Sequence, residues 1–171
     1  MNPARSEPQP ATPSQNVHDA RWIARAIELA REAATNGGGP FGAVIARGDE
    51  QLAESSNRVT LDLDPTAHAE VNAIRAACAK VRDFKLEGAT LYSSCEPCPM
   101  CLGAIHWARL ERLVFACSRT DAAAAGFDDE WIYRELALPI EKRAVPTLQL
   151  AREAGLGAFD AWRAFAGRSP Y

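Results

Sequence analysis

Residues 89–117 read ATLYSSCEPCPMCLGAIHWARLERLVFAC, and this stretch decides the fold. Residues 89–93 and 112–117 are short apolar runs that predict two strands. Pro97 opens a helix predicted over 98–108, since the first N–H groups of a helix need no partner within it. A strand, a helix and a strand at this spacing indicate a parallel pair joined by a right-handed crossover. The centre of the chain is therefore predicted to have an α/β fold.

The flanking segments add further helices and strands. Residues 36–40, Asn-Gly-Gly-Gly-Pro, cannot continue a helix but allow a sharp turn close to a ligand. Residues 64–66, Asp-Pro-Thr, supply capping groups for the helix that follows. Pro146 removes a backbone donor and restricts any strand around it to an edge. The predicted elements are a helix from Val17 to the glycine turn, a hairpin of strands 41–46 and 51–57, helices near 67–82, 129–137 and 158–166, and a strand around 145–150.

The length and composition favour one globular domain. The chain has 171 residues, 47% of them hydrophobic and 24% charged, so residues 17–171 fit a single domain. Residues 1–16 hold four prolines among polar residues and offer little to bury, which predicts a disordered tail.

Charge and cysteine usage narrow the classes of partner. A net charge of −3 lacks the positive excess of a nucleic-acid binder, so we expect no nucleic-acid partner. No run approaches the roughly 20 apolar residues of a membrane span, and we expect no membrane partner. Five cysteines, three of them within seven residues, disfavour a secreted disulfide scaffold. We therefore expect a cytoplasmic protein.

Two segments together carry the chemistry. His68-Ala69-Glu70 and Pro97-Cys98-Pro99-Met100-Cys101 match the H-x-E and P-C-x-x-C signature of zinc-dependent base deaminases. Two cysteines three apart in a first helical turn put both sulfurs on one side, and one imidazole completes three ligands. Three protein ligands leave a tetrahedral position open for water, which is typical of a catalytic zinc site. We predict one Zn²⁺ per chain, with Glu70 moving protons and not binding metal.

Other interpretations of these cysteines are open at the level of sequence. Cys95, Cys98 and Cys101 are spaced like part of an iron–sulfur run, although a fourth cysteine is missing nearby. We expect Cys95 to be an unliganded neighbour, and Cys78 and Cys117 to pack in the core. A structural zinc or iron–sulfur module is thus the non-enzymatic alternative.

The chain from about residue 17 onward resembles the cytidine-deaminase-like guanine deaminases of bacteria. The zinc motifs are specific for the superfamily, and a Gly-Phe-Asp-Asp segment with a terminal tyrosine narrows the resemblance to guanine-type substrates. The matching segments besides the zinc motifs are Phe41-Gly42-Ala43-Val44-Ile45, Ala125-Gly126-Phe127-Asp128-Asp129, Trp131-Ile132-Tyr133 and the run from Ala161 to Tyr171.

The resemblance implies an architecture. It implies a three-layer α/β/α sandwich with a central five-stranded mixed sheet. It also implies a homodimer in which the C-terminal segment, about residues 155–171, is exchanged between subunits.

The resemblance also implies roles for particular residues. His68, Cys98 and Cys101 correspond to the zinc ligands and Glu70 to the proton shuttle. The implied substrate-binding positions are Asn57, Ala69, Asp129 and Tyr171. A local backbone hydrogen bond is the alternative for Asn57, and Asp128 and Asp129 could equally be helix caps. Phe41 and Trp107 are candidates to contact the face of the base, and ordinary core packing is the alternative for both.

The implied reaction is the hydrolysis of a purine base, guanine, to xanthine and ammonia. Guanosine deaminases and tRNA adenosine deaminases share the metal motifs and are the alternatives. An enzyme acting on RNA would need phosphate contacts, which the acidic charge balance does not favour.

Overall fold

A computed structural model of the chain describes residues 13–170. It divides into two compact units, one ending at Asp129 and the other beginning at Glu130. The elements of the first unit are α1 (Pro13–Thr35), β1 (Gly42–Arg47), β2 (Glu50–Ser56), α2 (Val59–Asp62), α3 (Ala69–Val81), β3 (Thr90–Cys95), α4 (Pro99–Trp107), β4 (Arg112–Cys117) and α5 (Arg119–Ala124). The second unit contains α6 (Glu130–Ala137), a 3₁₀ turn (Ile140–Lys142) and α7 (Arg152–Ala164).

One mixed sheet organises the first unit. Its strand order is β2-β1-β3-β4, with β1 antiparallel to both neighbours. Strands β3 and β4 are parallel, with Leu91 opposite Leu113, and α4 connects them. The parallel pair and the hairpin predicted from the sequence are therefore confirmed.

Helices cover both faces of this sheet. Because side chains alternate along a strand, Val44 and Ala46 pack with Trp22 of α1, while Ala43 and Ile45 pack on the other face. The cluster on that other face includes the α3 residues Ala69, Ala73, Ile74 and Ala77. The three-layer arrangement is the one that was expected.

Helix α1 lies unusually close to the sheet at Gly42. A Cβ atom at this position would stand 2.3 Å from the carbonyl oxygen of Ala26, so only glycine fits here. A polar contact also holds the helix, because Arg112 donates to both carboxylate oxygens of Asp19, at 2.8 and 2.5 Å. The hydroxyl of Tyr92 donates to the same carboxylate at 2.9 Å. Hydrogen bonding by Arg112 holds the pKa of Asp19 below its usual value.

The structure corrects the expected strand count. Within residues 13–170 the sheet has four strands, and residues 145–150 form none. Pro146 has no N–H to donate to a ladder, and the apolar side chains of Val145, Leu148 and Leu150 are exposed. The apolar pattern alone was therefore insufficient to indicate a strand.

Several boundaries also differ from prediction. Helix α1 begins at Pro13, so residues 13–16 are helical and do not belong to the predicted tail, of which residues 1–12 lie outside the described part. Proline fits there because the first turn needs no donor. Helix α7 begins at Arg152, earlier than the predicted 158. Cys117 was expected in the core and is exposed, because it ends the edge strand β4.

Across residues 13–170, every helix is too short or too polar to span a lipid bilayer.

Candidate active site

Two helix starts bring the predicted ligands together. His68 is the N-cap of α3 and Cys98 the N-cap of α4, both with extended backbone. Asp64, expected to cap α3, instead closes a turn by accepting from the backbone N–H of Thr66 at 2.7 Å. Cys101 lies in the first turn of α4, three residues beyond Cys98, and is buried. Each helix thus delivers ligands from its N-terminal end.

The three ligand atoms form a nearly equilateral triangle. His68 Nδ1 lies 3.6 Å from Cys98 Sγ and 3.6 Å from Cys101 Sγ, and the two sulfurs are 3.6 Å apart. Tetrahedral coordination at ordinary Zn–N and Zn–S lengths requires separations of roughly 3.5–3.8 Å. The cluster therefore fits one Zn²⁺ held by three protein ligands.

The electrostatics of the cluster favour a thiolate. The hydrogen bond between Cys98 and Cys101, with burial opposing it, lowers the pKa of Cys98 to about 4. The same hydrogen bond, followed by burial, raises the pKa of Cys101. The hydrogen bond to Cys98 also raises the pKa of His68. A cation bound at this point would displace the thiol protons, since metal ligation requires deprotonated sulfur.

Glu70 lies in the first turn of α3 and is 6% exposed. Its Oε1 accepts a hydrogen bond from the hydroxyl of Ser93 on β3 at 3.3 Å. Burial raises the pKa of Glu70 above the usual carboxyl value. A buried carboxyl with a raised pKa and a fixed hydrogen-bond partner suits a group that takes up and releases protons. Sequence reasoning missed Ser93, which had no motif to mark it.

Asn57 follows β2 and is held on several sides. Its backbone N–H donates to the carbonyl of Phe41 at 2.9 Å, and its Oδ1 accepts from the N–H of Val59 at 3.2 Å. A Cβ on Gly39 would approach that Oδ1 to 3.0 Å, so the glycine turn closes around the side chain. The side-chain NH₂ is the group that Asn57 has left to offer a ligand.

Asp129, the last residue of the first unit, lies within electrostatic range of the metal cluster. Burial, followed by the charge on Cys98, raises the pKa of Asp129. The charge on Asp129 in turn contributes to the raised pKa of His68. Ala69 is fully buried between His68 and Glu70.

The two aromatic candidates have different surroundings. Phe41 packs partly buried on the core and meets the ring of Phe127 edge-on, with centroids 5.0 Å apart. Trp107 is 62% exposed, so the core-packing alternative is wrong for it. It ends α4, and the nine residues from Cys98 correspond to about 13 Å of helix, which does not favour contact with a base at the metal. Tyr171 lies outside the described residues.

Cys95 stands apart from the cluster. It is buried at the end of β3, and its thiol donates to the carbonyl of Ser118 at 3.5 Å. Within the part of the chain that the structure describes, the metal-ligating group consists of His68, Cys98 and Cys101. This grouping does not support the iron–sulfur interpretation.

This donor set has a counterpart among known families. Residues 16–117 match the cytidine and deoxycytidylate deaminase zinc-binding region. The chain belongs to this deaminase family. The match includes both zinc motifs and the whole sheet of the deaminase.

Individual relatives are also similar to this deaminase. Guanine deaminase of Bacillus subtilis (strain 168) is 50% identical over 151 residues, which span 88% of this chain and 97% of the relative. The X-ray structure of guanine deaminase from Bacillus subtilis gives a TM-score of 0.86 and covers 89% of this chain and 98% of that one, at 50% identity.

More distant relatives share less of the chain. A structure of guanine deaminase from Nitrosomonas europaea gives a TM-score of 0.61 at 30% identity, covering 75% of this chain and 79% of that one. A tRNA-specific adenosine deaminase of Bacillus subtilis (strain 168) is 37% identical over 110 residues, 64% of this chain and 68% of the relative.

The ligand geometry generates a prediction about metal content. We expect one zinc per chain in the purified protein, and we expect the variants His68→Ala and Cys98→Ala to lose it. Cys95→Ala removes a neighbouring buried thiol outside the triangle and should keep full zinc content. Elemental analysis of the four proteins provides the measurement. Iron in the wild type, or metal loss in Cys95→Ala, would contradict the three-ligand assignment.

Proposed function

We propose that this deaminase hydrolyses guanine to xanthine and ammonia. The observation that carries the proposal is its 50% identity to a guanine deaminase over 88% of this chain and 97% of the relative. The His/Cys/Cys cluster beside a buried carboxyl is the donor set that hydrolytic deamination of a base requires.

The cofactor of this reaction is Zn²⁺, held by His68, Cys98 and Cys101. These residues would hold the ion, and the chemistry it would supply is a water whose pKa falls to about 7, and thus a nucleophile at neutral pH. Glu70 takes a proton from the attacking water and gives it to a ring nitrogen of the base. It then takes the proton of the hydroxyl group added to the ring carbon and delivers it to the departing amine, which leaves a carbonyl on the ring. Its burial and raised pKa suit both halves of this transfer.

Recognition of the base rests on polar groups around this centre. Guanine presents a carbonyl and ring nitrogens as acceptors, and the side-chain NH₂ of Asn57 donates to them. Asp129 accepts from the N–H groups of the base. Ala69 lies beside the base between the metal ligand and the carboxyl, and Phe41 flanks its ring. These assignments rest on the resemblance and on the chemistry of each side chain.

The substrate is tested by release of ammonia from a panel of bases and nucleosides. We expect guanine to give the highest kcat/KM among guanine, guanosine, cytosine, cytidine, adenine and adenosine. Measuring kcat/KM with an enzyme-coupled ammonia assay tests the class of reaction and its substrate together. A preference for adenosine or cytosine would overturn the proposal.

Glu70 provides the mechanistic prediction. Glu70→Gln keeps the size of the side chain and removes its proton-transfer capacity, so kcat should fall roughly 100-fold or more. Zinc content should stay at the wild-type level, because Glu70 is not a ligand. Near-normal turnover with a full complement of zinc would remove Glu70 from the mechanism.

We also propose a homodimer in which residues of about 155–171 are exchanged between subunits. Strand β4 is an edge of the sheet, and its last three residues are exposed, including Phe115 at 44%. Helix α7 separately exposes Phe159 and Trp162, and Phe165, the residue that follows it, is also exposed. Unpaired strand edges and clustered apolar side chains are typical of surfaces that a partner covers.

The proposed exchange gives Tyr171 a role in the active site of the partner subunit. Tyr171 would cover the base in the partner's site and exclude water. Deleting Tyr171 should lower kcat/KM for guanine at least about tenfold, with zinc content and dimer retained, an effect in the range of lost positioning contacts. Tyr171→Phe, which keeps the ring, is the matched control for the hydroxyl.

The outcome of the deletion is read by steady-state kinetics and by light scattering. A truncated enzyme with the kcat/KM of the full chain would remove the lid role. A gain of activity on guanosine in the truncated enzyme would indicate that Tyr171 also excludes the ribose of a nucleoside.

We place the enzyme in the cytoplasm. All five cysteines are free thiols, including the exposed Cys117. A reducing compartment preserves such thiols.

A further inference from the structure

We propose that Asn72 is a positioning residue that fixes Asn57 for the substrate. Asn72 lies on α3, two residues beyond Glu70 and close to the metal ligands. Its side-chain Nδ2 donates to two backbone carbonyls, Ala67 at 3.2 Å and Ser56 at 3.4 Å. These carbonyls belong to the two chain segments that carry the metal-binding and substrate-binding groups. This inference rests on the proposed function, because it assigns Asn57 to the substrate.

The contact with Ser56 acts on the peptide group just before Asn57. The carbonyl of Ser56 and the N–H of Asn57 belong to one rigid planar unit. That N–H donates to the carbonyl of Phe41 at 2.9 Å, while the carbonyl accepts from Asn72. Hydrogen bonds therefore hold this peptide at both ends, and its orientation sets the direction in which the Asn57 side chain leaves the backbone.

The contact with Ala67 ties the same segment to the start of α3. The carbonyl of Ala67, directly before His68, also accepts from the N–H of Arg58 at 2.9 Å. Both chain neighbours of Asn57 are therefore held by hydrogen bonds. The carbonyl of Ser56 accepts from Asn72, and the N–H of Arg58 donates to Ala67. One NH₂ group with two hydrogens serves two acceptors, which a hydroxyl with its single hydrogen cannot do.

The glycine turn also lies close against Asn57. A Cβ on Gly38 would meet the Asn57 carbonyl at 2.5 Å, and one on Gly39 would meet its Oδ1 at 3.0 Å. The glycine turn therefore limits movement from one side, and the hydrogen bonds of Asn72 limit it from the side of α3. A group that binds a substrate must be held within a fraction of an ångström. These constraints on Asn57 therefore affect how well it binds the base.

The first test compares two variants of Asn72. Asn72→Ala removes the side chain, whereas Asn72→Asp keeps its shape and replaces both donors by acceptors that face two carbonyls. In each variant KM should rise about 5- to 10-fold, the size expected for one or two lost hydrogen bonds, with kcat within about twofold of wild type. Arg75→Ala is the control on the same helix, since Arg75 bonds to the Thr66 side chain and touches neither carbonyl. It should leave both parameters unchanged.

The decisive measurement is a double-mutant cycle with Asn57→Ala. If Asn72 acts through Asn57, adding Asn72→Ala to Asn57→Ala should change kcat/KM by less than about twofold, because the group being positioned is already gone. Full additivity would overturn the proposal, as would unchanged KM in Asn72→Asp. Loss of zinc in Asn72→Asp would place its action on the metal segment and also overturn it.

The cycle uses the base from the panel that has the highest kcat/KM. A wild type that prefers another base contradicts the proposed substrate, while the cycle still tests the positioning role. If the wild type prefers guanine and the effects of the two substitutions are additive, the proposed function stands and the positioning role of Asn72 is wrong.

Discussion

The site depends on one constraint, which is that α3 and α4 begin side by side at the same end of the sheet. Their N-caps, His68 and Cys98, are the last extended residues before each helix, so the chain turns there and points its ligands together. The N-terminal ends of helices carry partial positive charge, which stabilises the thiolate that a metal requires. Glu70, in the same first turn as His68, reaches the cluster for the same reason.

The surrounding polar groups are satisfied within the protein. In the described part of the chain, every fully buried side-chain nitrogen or oxygen has a hydrogen-bond partner. Glu70 has Ser93, and Asn57 has Val59 on its Oδ1. Buried polar groups are costly when unpaired and rigid when paired, so these contacts both stabilise the site and fix its geometry. Ser93, which is distant in sequence, thereby fixes the carboxyl group of Glu70.

The zinc ligands were predictable from sequence because they are encoded in local spacing, two cysteines three apart and a histidine two before a carboxylate. The strands β1 and β3 were predictable because they are buried and apolar. Residues 145–150 show where such reasoning fails, since an apolar pattern with Pro146 gives no strand in this structure. Asn72 carried a weaker signal that could have been used, because asparagine within the first helical turns is unfavourable unless its side chain bonds to the backbone.

By itself the sequence determined the donor set and the order of helices and strands around it, and it predicted the carboxyl group that is proposed to move protons. These features depend on residues near one another in the chain, where the periods of helix and strand fix which side chains share a face. Only the tertiary structure decided that Cys95 lies outside the triangle, that Cys117 is exposed, and that Ser93 and Asn72 support Glu70 and Asn57. Such contacts join residues that are distant in sequence, or depend on the side of a helix that faces another segment. The packing of the sheet against its two helical layers determines these contacts, and no local sequence pattern predicts them.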